Sequence, residues 1–149
     1  MNIVKRVDQY DENNIFFCEP IKNNVMPDGN FIRIIYSTPI VTFNGIYILV
    51  ELNDITCEKY FNKYKCSFDV STHSYIIANL KVIEEDLLKK IDMRGKMPQY
   101  KIHEQLKNGN IKVLGEVSYK HNCSFVLKIS GIWETQFNYG LTYKFFNIN

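Results

Sequence analysis

The stretch from Ser130 to Phe145, SGIWETQFNYGLTYKF, constrains the fold more than any other part of the chain. Leu141-Thr142-Tyr143-Lys144-Phe145 alternates strictly between apolar and polar residues. That is the pattern of a strand with one buried face. Ile129, Trp133, Leu141, Tyr143 and Phe145 fit the inward positions of two strands, with Glu134 to Gly140 as a polar connection. Gly131 is expected at a bulge and Gly140 at a turn. The segment reads as the closing hairpin of a β-rich core, and nothing in it is catalytic.

Similar patterns precede it. Asn14 to Cys18 is a short apolar run ended by Glu19-Pro20, and Met26 to Asn30 carries a turn signal. Phe31 to Ser37 is rich in strand-forming residues. Val41-Thr42-Phe43 and Ile46-Tyr47-Ile48 flank Asn44-Gly45, the dipeptide favoured in two-residue hairpin turns, so a hairpin is expected there. Lys65 to Val70 reads as a strand. Ile76, Leu80, Ile83, Leu87 and Ile91 then recur at helical spacing, with Ser71-Thr72 as cap candidates. One amphipathic helix over 74–91 is expected, with Glu84, Glu85, Lys89 and Lys90 on its solvent face. A shorter helix is favoured over 99–107, with Pro98 at its first position and Gly109 just past its end, although Asn108-Gly109 could equally join two strands. Ile111–Tyr119, Cys123–Ser130 and the closing segment read as an antiparallel meander turning at Lys120-His121-Asn122.

The order is strands, one long helix, then strands again. The expected fold is therefore mainly β with one long helix (α+β), an OB-like antiparallel barrel or curved sheet. Residues 1–13 are polar and read as an N-terminal arm, leaving 14–149 as a single domain. A chain of 149 residues can bury a substantial core.

Composition narrows the function by exclusion. No apolar run approaches the ~20 residues of a membrane span, and Met1 to Arg6 holds no apolar signal core, so neither a membrane partner nor secretion is expected. Cys18, Cys57, Cys66 and Cys123 include no CxxC pair, so reduced structural thiols are expected and a zinc site is not. His73, His103 and His121 show no spacing that builds a nucleophile–base set and read as surface or loop histidines. Glu84-Glu85-Asp86 pairs simply with Lys89 and Lys90. No glycine-rich phosphate loop occurs. A protein without catalytic activity, cofactor or metal is the expectation.

Two stretches interleave cations with aromatic rings. Tyr60, Lys63, Tyr64 and Lys65 form one; Arg94, Lys96, Tyr100 and Lys101, following Lys89-Lys90, form the other. Single-stranded nucleic acid is held by a basic groove plus aromatic faces on which bases stack. Lys63, Lys65, Arg94, Lys96 and Lys101 would meet phosphates, and Tyr60, Tyr64 and Tyr100 would offer stacking faces. The net charge of +2 is too small to announce such binding by itself.

The closing segment, with the order of elements, resembles proteins of large nucleocytoplasmic DNA viruses. Some of these are similar to the replicative single-stranded-DNA-binding proteins of short-tailed phages. The resemblance covers the last ~20 residues and the element order. It implies an OB-fold core with an inserted helix and a basic, aromatic DNA groove. It also implies a role in replication or repair, in the host cytoplasm or viral factory or packaged in the virion. The phage-type proteins end in an acidic tail with a terminal aromatic; this chain ends Lys144-Phe145-Phe146-Asn147-Ile148-Asn149, so recruitment through a tail is not expected. No contact residue carries over by position, so the eight candidates rest on their chemistry. The expected partners are single-stranded DNA and further copies of the chain. The alternative is a minor virion structural or protein-interaction module using exposed aromatics at an interface.

Overall fold

A computed structural model describes residues 4–23, 29–114 and 122–147. The turn expected at Met26 to Asn30 and the chain from 115 to His121 lie largely outside these residues. The elements are β1 (Ile15–Phe17), β2 (Ile21–Asn23), β3 (Gly29–Ser37), β4 (Thr42–Phe43), β5 (Ile46–Asn53), β6 (Thr56–Tyr60), β7 (Lys63–Ser67), α1 (Ser74–Lys90), β8 (Met97–Gln99), α2 (Lys101–Lys107), β9 (Asn110–Leu114), β10 (Asn122–Glu134) and β11 (Asn138–Asn147).

All eleven strands among the described residues join one mixed sheet whose main path runs β1-β3-β10-β11-β9-β7-β6. This overturns the OB-like barrel. The path is open, ending at β1 and β6, and it is not purely antiparallel, because β11 pairs in parallel with both β8 and β9. A mixed α/β domain with one long helix replaces the barrel. The meander fails for the same reason: β9 lies on the far side of β11 from β10.

The centre of the sheet is β10, which takes β11 along one side. Along the other it takes β5 from Asn122 to Ile129, then β3 from Gly131 to Glu134. A bulge separates these two halves, with the β10–β11 register shifting between Ile129 and Gly131. Gly131 is therefore where a bulge was expected. A Cβ there would collide with the Ile32 carbonyl oxygen and come 2.6 Å from the Phe31 ring, so only glycine fits. The bulge resets the alternation. Ile129 and Ile132 point into the core, while Trp133 turns to the opposite face, contrary to the unbroken pattern. Gly140 is not at a turn either. It lies within β11 opposite Trp133, and a Cβ would come 2.7 Å from the indole. The connection itself is shorter, closed by Thr135 N–H donating to the Asn138 carbonyl at 2.8 Å.

The hairpin expected around Asn44-Gly45 does not form. β4 pairs back onto β3, and β5 pairs with β10. Gly45 takes a positive φ of 115° close to the Ile129 carbonyl but Asn44 does not, so the chain bends there without the expected two-residue turn. Ile46, Ile48, Val50 and Leu52, one face of β5, are fully buried against the core.

One face of the sheet is covered by α1, α2 and the residues before β1. α1 buries Ile77, Leu80, Ile83, Leu87 and Leu88, at roughly 1.5–3 kcal/mol of burial each. Its lead-in is capped by Asp69, not by Ser71 or Thr72. The Asp69 carboxylate accepts from the Ser71 N–H at 2.9 Å and its hydroxyl at 2.7 Å, which holds the carboxyl below its usual range. Residues 4–14 lie against the domain. The Lys5 N–H donates to the Tyr47 carbonyl, its ammonium stands 4.2 Å over the Tyr36 ring, and Val7 and Tyr10 pack on the core.

Two polar groups expected at the surface are buried. Glu84 belongs by helical phase to the stripe of Ile77, Leu80, Leu87 and Leu88, and is fully enclosed. Its two carboxylate oxygens accept from the backbone N–H groups of Ile102 at 2.9 Å and His103 at 2.8 Å, the otherwise unpaired donors at the start of α2. Burial pushes its carboxyl upward despite these bonds. Pro98, expected to begin α2, lies instead in β8. His73 is also buried. Its Nε2 accepts from the Asn53 N–H at 2.9 Å, so Nδ1, 2.7 Å from the Asp69 carbonyl oxygen, carries the hydrogen.

A basic, helix-free sheet face as candidate nucleic-acid interface

Directly opposed residues in a ladder share a face, and this places several cations together on the side away from the helices. Lys128 on β10 stands opposite Lys144 on β11 and, on its other flank, opposite Tyr47 on β5. Lys65 on β7 stands opposite Lys112 on β9, with Glu58 on β6 beyond it. The two pairs meet across β11 and β9. These strands pair at Phe145–Val113 and Phe146–Leu114, one residue past Lys144 and Lys112. Lys63 and Tyr60 lie opposite one another, two residues further along the same face.

The sequence forces this arrangement locally. Lys112 lies between Ile111 and Val113, Lys128 between Leu127 and Ile129, and all four neighbours are buried. Lys144 lies between Tyr143 and the buried Phe145. A pleated strand that buries its alternate residues must turn the lysines outward. Like charges directly opposite destabilise a sheet, by up to ~1 kcal/mol per pair. Among the described residues, Lys63, Lys65, Lys112, Lys128 and Lys144 make no ion pair. Lys128 stands 5.6 Å from the Tyr47 ring centroid, a contact between a cation and an aromatic face.

The face is not flat. Among the described residues β9 and β11 share those two pairs and part on the N-terminal side of them. A recess of about 400 Å³ runs into the gap between them, bordered by Lys63, Lys112 and Lys144 on this face and by Gln105 of α2 and the core-packed Tyr143 from the helical side. Burial, with Glu84 and Glu104 nearby, pushes the Tyr143 hydroxyl up to about 12. A second recess of about 360 Å³ shares Lys63 and Lys112 and is bordered by Tyr60, Lys65 and Asn110. Tyr60 is 58% exposed at its rim.

Of the eight candidates read from sequence, Tyr60, Lys63 and Lys65 lie on this face. Tyr64 borders the second recess, but it stands opposite Val113 and packs half-buried against the core. Lys101 pairs with Glu104 at 3.7 Å on α2 and borders a further recess with Lys112 and Asn110. The other three are elsewhere. Arg94 pairs with Asp92 at 3.2 Å in an exposed loop. Lys96 donates to Glu134 at 2.7 Å, and with Asn30 it holds that carboxyl below its usual range. Tyr100 is exposed just before α2. The neighbouring β8 pairs with β11 at Asn138 to Gly140. Lys144 is four residues beyond Gly140, about 13 Å along the strand. Lys112, Lys128 and Lys144 were not among the sequence candidates. Each was signalled by a single lysine at an alternate position of an apolar strand.

The chain matches no protein-family model, no curated protein and no solved structure. Among the described residues no group of His, Cys, Asp or Glu has metal-binding geometry, and no helix is long and apolar enough to cross a membrane. Cys57 and Cys66, directly opposed on β6 and β7 with their sulfurs 2.9 Å apart, are free and buried.

Proposed function

We propose that the helix-free face binds single-stranded DNA with little sequence preference, in replication or repair. One observation carries the reading: Lys128, Lys144, Lys112 and Lys65 come from four adjacent strands onto one face, and among the described residues none of them pairs with a carboxylate. Unneutralised cations in a row suit a polyanion, whose phosphates release counterions on contact. Tyr60 and Tyr47 at the margins supply aromatic faces for bases. The likeness of the closing segment to viral and phage-type DNA-binding proteins finds no support in the comparisons and adds nothing here. The OB core it implied is absent, so the support comes from the face itself.

The test is fluorescence anisotropy of a labelled dT oligonucleotide at low and moderate salt. The protein is compared with a triple Lys65→Gln, Lys112→Gln, Lys144→Gln variant and with a Lys89→Gln, Lys107→Gln control. Binding that the triple variant loses and the control keeps supports the reading. Absence of binding at low salt, or equal loss in both variants, overturns it.

A further inference from the structure

The recess between β9 and β11 offers more than phosphate contacts. Resting on the single-stranded-DNA reading above, we infer that this recess is a nucleobase pocket, in which one base of the bound strand leaves the sheet surface and inserts between the two strands. Its volume of about 400 Å³ lies within the usual range for small-molecule sites. Three of its bordering side chains, Lys63, Lys112 and Lys144, are cations without an ion pair among the described residues, set where flanking phosphates would lie.

Its polar groups are weakly committed. Gln105 Nε2 donates to the Tyr143 hydroxyl at 3.4 Å, and Gln105 Oε1 accepts from the Lys112 N–H at 3.4 Å. The Tyr143 hydroxyl donates to the Lys101 carbonyl, also at 3.4 Å. All three exceed the usual length of a well-formed bond, ~2.9–3.0 Å for an N–H donor and ~2.7–2.8 Å for a hydroxyl. An amide with a donor and an acceptor, held loosely beside a tyrosine hydroxyl, can rotate to meet the edge of a base. Phe145 and Leu114 supply apolar wall. The cause is topological. A parallel pair that ends after two residues leaves unfilled space where the next pairs would be, and α2 brings Gln105 towards it.

The experiment compares a dT oligonucleotide with an abasic deoxyribose-phosphate chain of equal length, against the wild-type protein and Gln105→Leu. The pocket predicts that wild type binds the base-bearing chain at least tenfold more tightly. It also predicts that Gln105→Leu removes most of that difference while leaving abasic binding and salt dependence unchanged. Equal wild-type affinity for the two chains overturns the pocket and leaves the lysine face standing. Binding of neither chain overturns the single-stranded-DNA reading itself. Should Gln105→Leu fail to fold, quenching of 2-aminopurine within the bound oligonucleotide reports base insertion in wild type. An unchanged fluorescence then counts against the pocket.

Discussion

Lys65 and Lys112 stand directly opposite each other on β7 and β9, on the same face of the sheet, and among the described residues neither is held by a carboxylate. Glu58 is opposite Lys65 on the far flank without closing an ion pair. A sheet selected for stability alone would not favour this pair, because like charges in direct opposition raise its free energy. The arrangement is intelligible if a polyanion supplies the missing charge.

Lys112→Glu separates stability from binding. Replacing one member of a repulsive pair with an opposite charge is expected to raise the unfolding free energy by up to ~1 kcal/mol. The same change is expected to weaken oligonucleotide binding at least tenfold. Urea denaturation and anisotropy on one preparation check both. A variant that loses stability, or binds DNA as wild type does, contradicts the account of this pair.

Glu84→Ala removes the acceptor for two buried N–H groups at the start of α2. Each unsatisfied buried donor costs roughly 1–3 kcal/mol, so a total loss of about 2–6 kcal/mol is expected for the two. Faster amide exchange at Ile102 and His103 should accompany it. Unchanged stability and exchange would show that Glu84 does not organise α2.

Glu134 gives a pH dependence with a definite sign. Its folded-state pKa lies below the ordinary 4.5, chiefly because Lys96 donates to it. The unfolded chain therefore binds the proton more readily. The stabilisation is present above about 4.5 and is lost as the pH falls through the folded value. Glu134→Gln should cost about 1 kcal/mol at neutral pH and flatten the stability profile in that acid window. Glu84 contributes with the opposite sign. Its raised value makes the folded state the tighter proton binder, so its contribution falls as the pH rises through that value.

Gly140→Ala should be poorly tolerated, since the added methyl would meet the Trp133 indole at 2.7 Å. A loss of about 1–3 kcal/mol is expected from overpacking. Trp133→Leu in the same chain should recover part of it. Equal stability of Gly140→Ala and wild type in thermal melts would show that the indole has room to move.

What was legible in the sequence was local. The alternation of β11 and the apolar stripe of α1 follow from which residues avoid water, and both elements stand near the expected positions. Pairing was not legible, because it depends on residues far apart in the chain. At Asn44-Gly45 the chain only bends, and β5 forsakes β4 for β10, where its four fully buried residues join the main core. The open path of the sheet, decided by β9 pairing with β11, was hidden for the same reason. Glu84 was readable by phase, standing seven residues after Ile77 and four after Leu80, but its partner on α2 was not. The candidate face was half visible. Tyr60 to Lys65 is a cluster along the chain, whereas Lys112, Lys128 and Lys144 become neighbours only across strands.

The slope of log affinity against log salt concentration for a dT oligonucleotide tests the central claim most directly. Four lysines meeting four phosphates predict a slope of about −3 for a single strand, with each Lys→Gln substitution in the row reducing its magnitude by about 0.7. A slope near zero, or one that Lys112→Gln and Lys144→Gln leave unchanged, would contradict the assignment of this face to DNA.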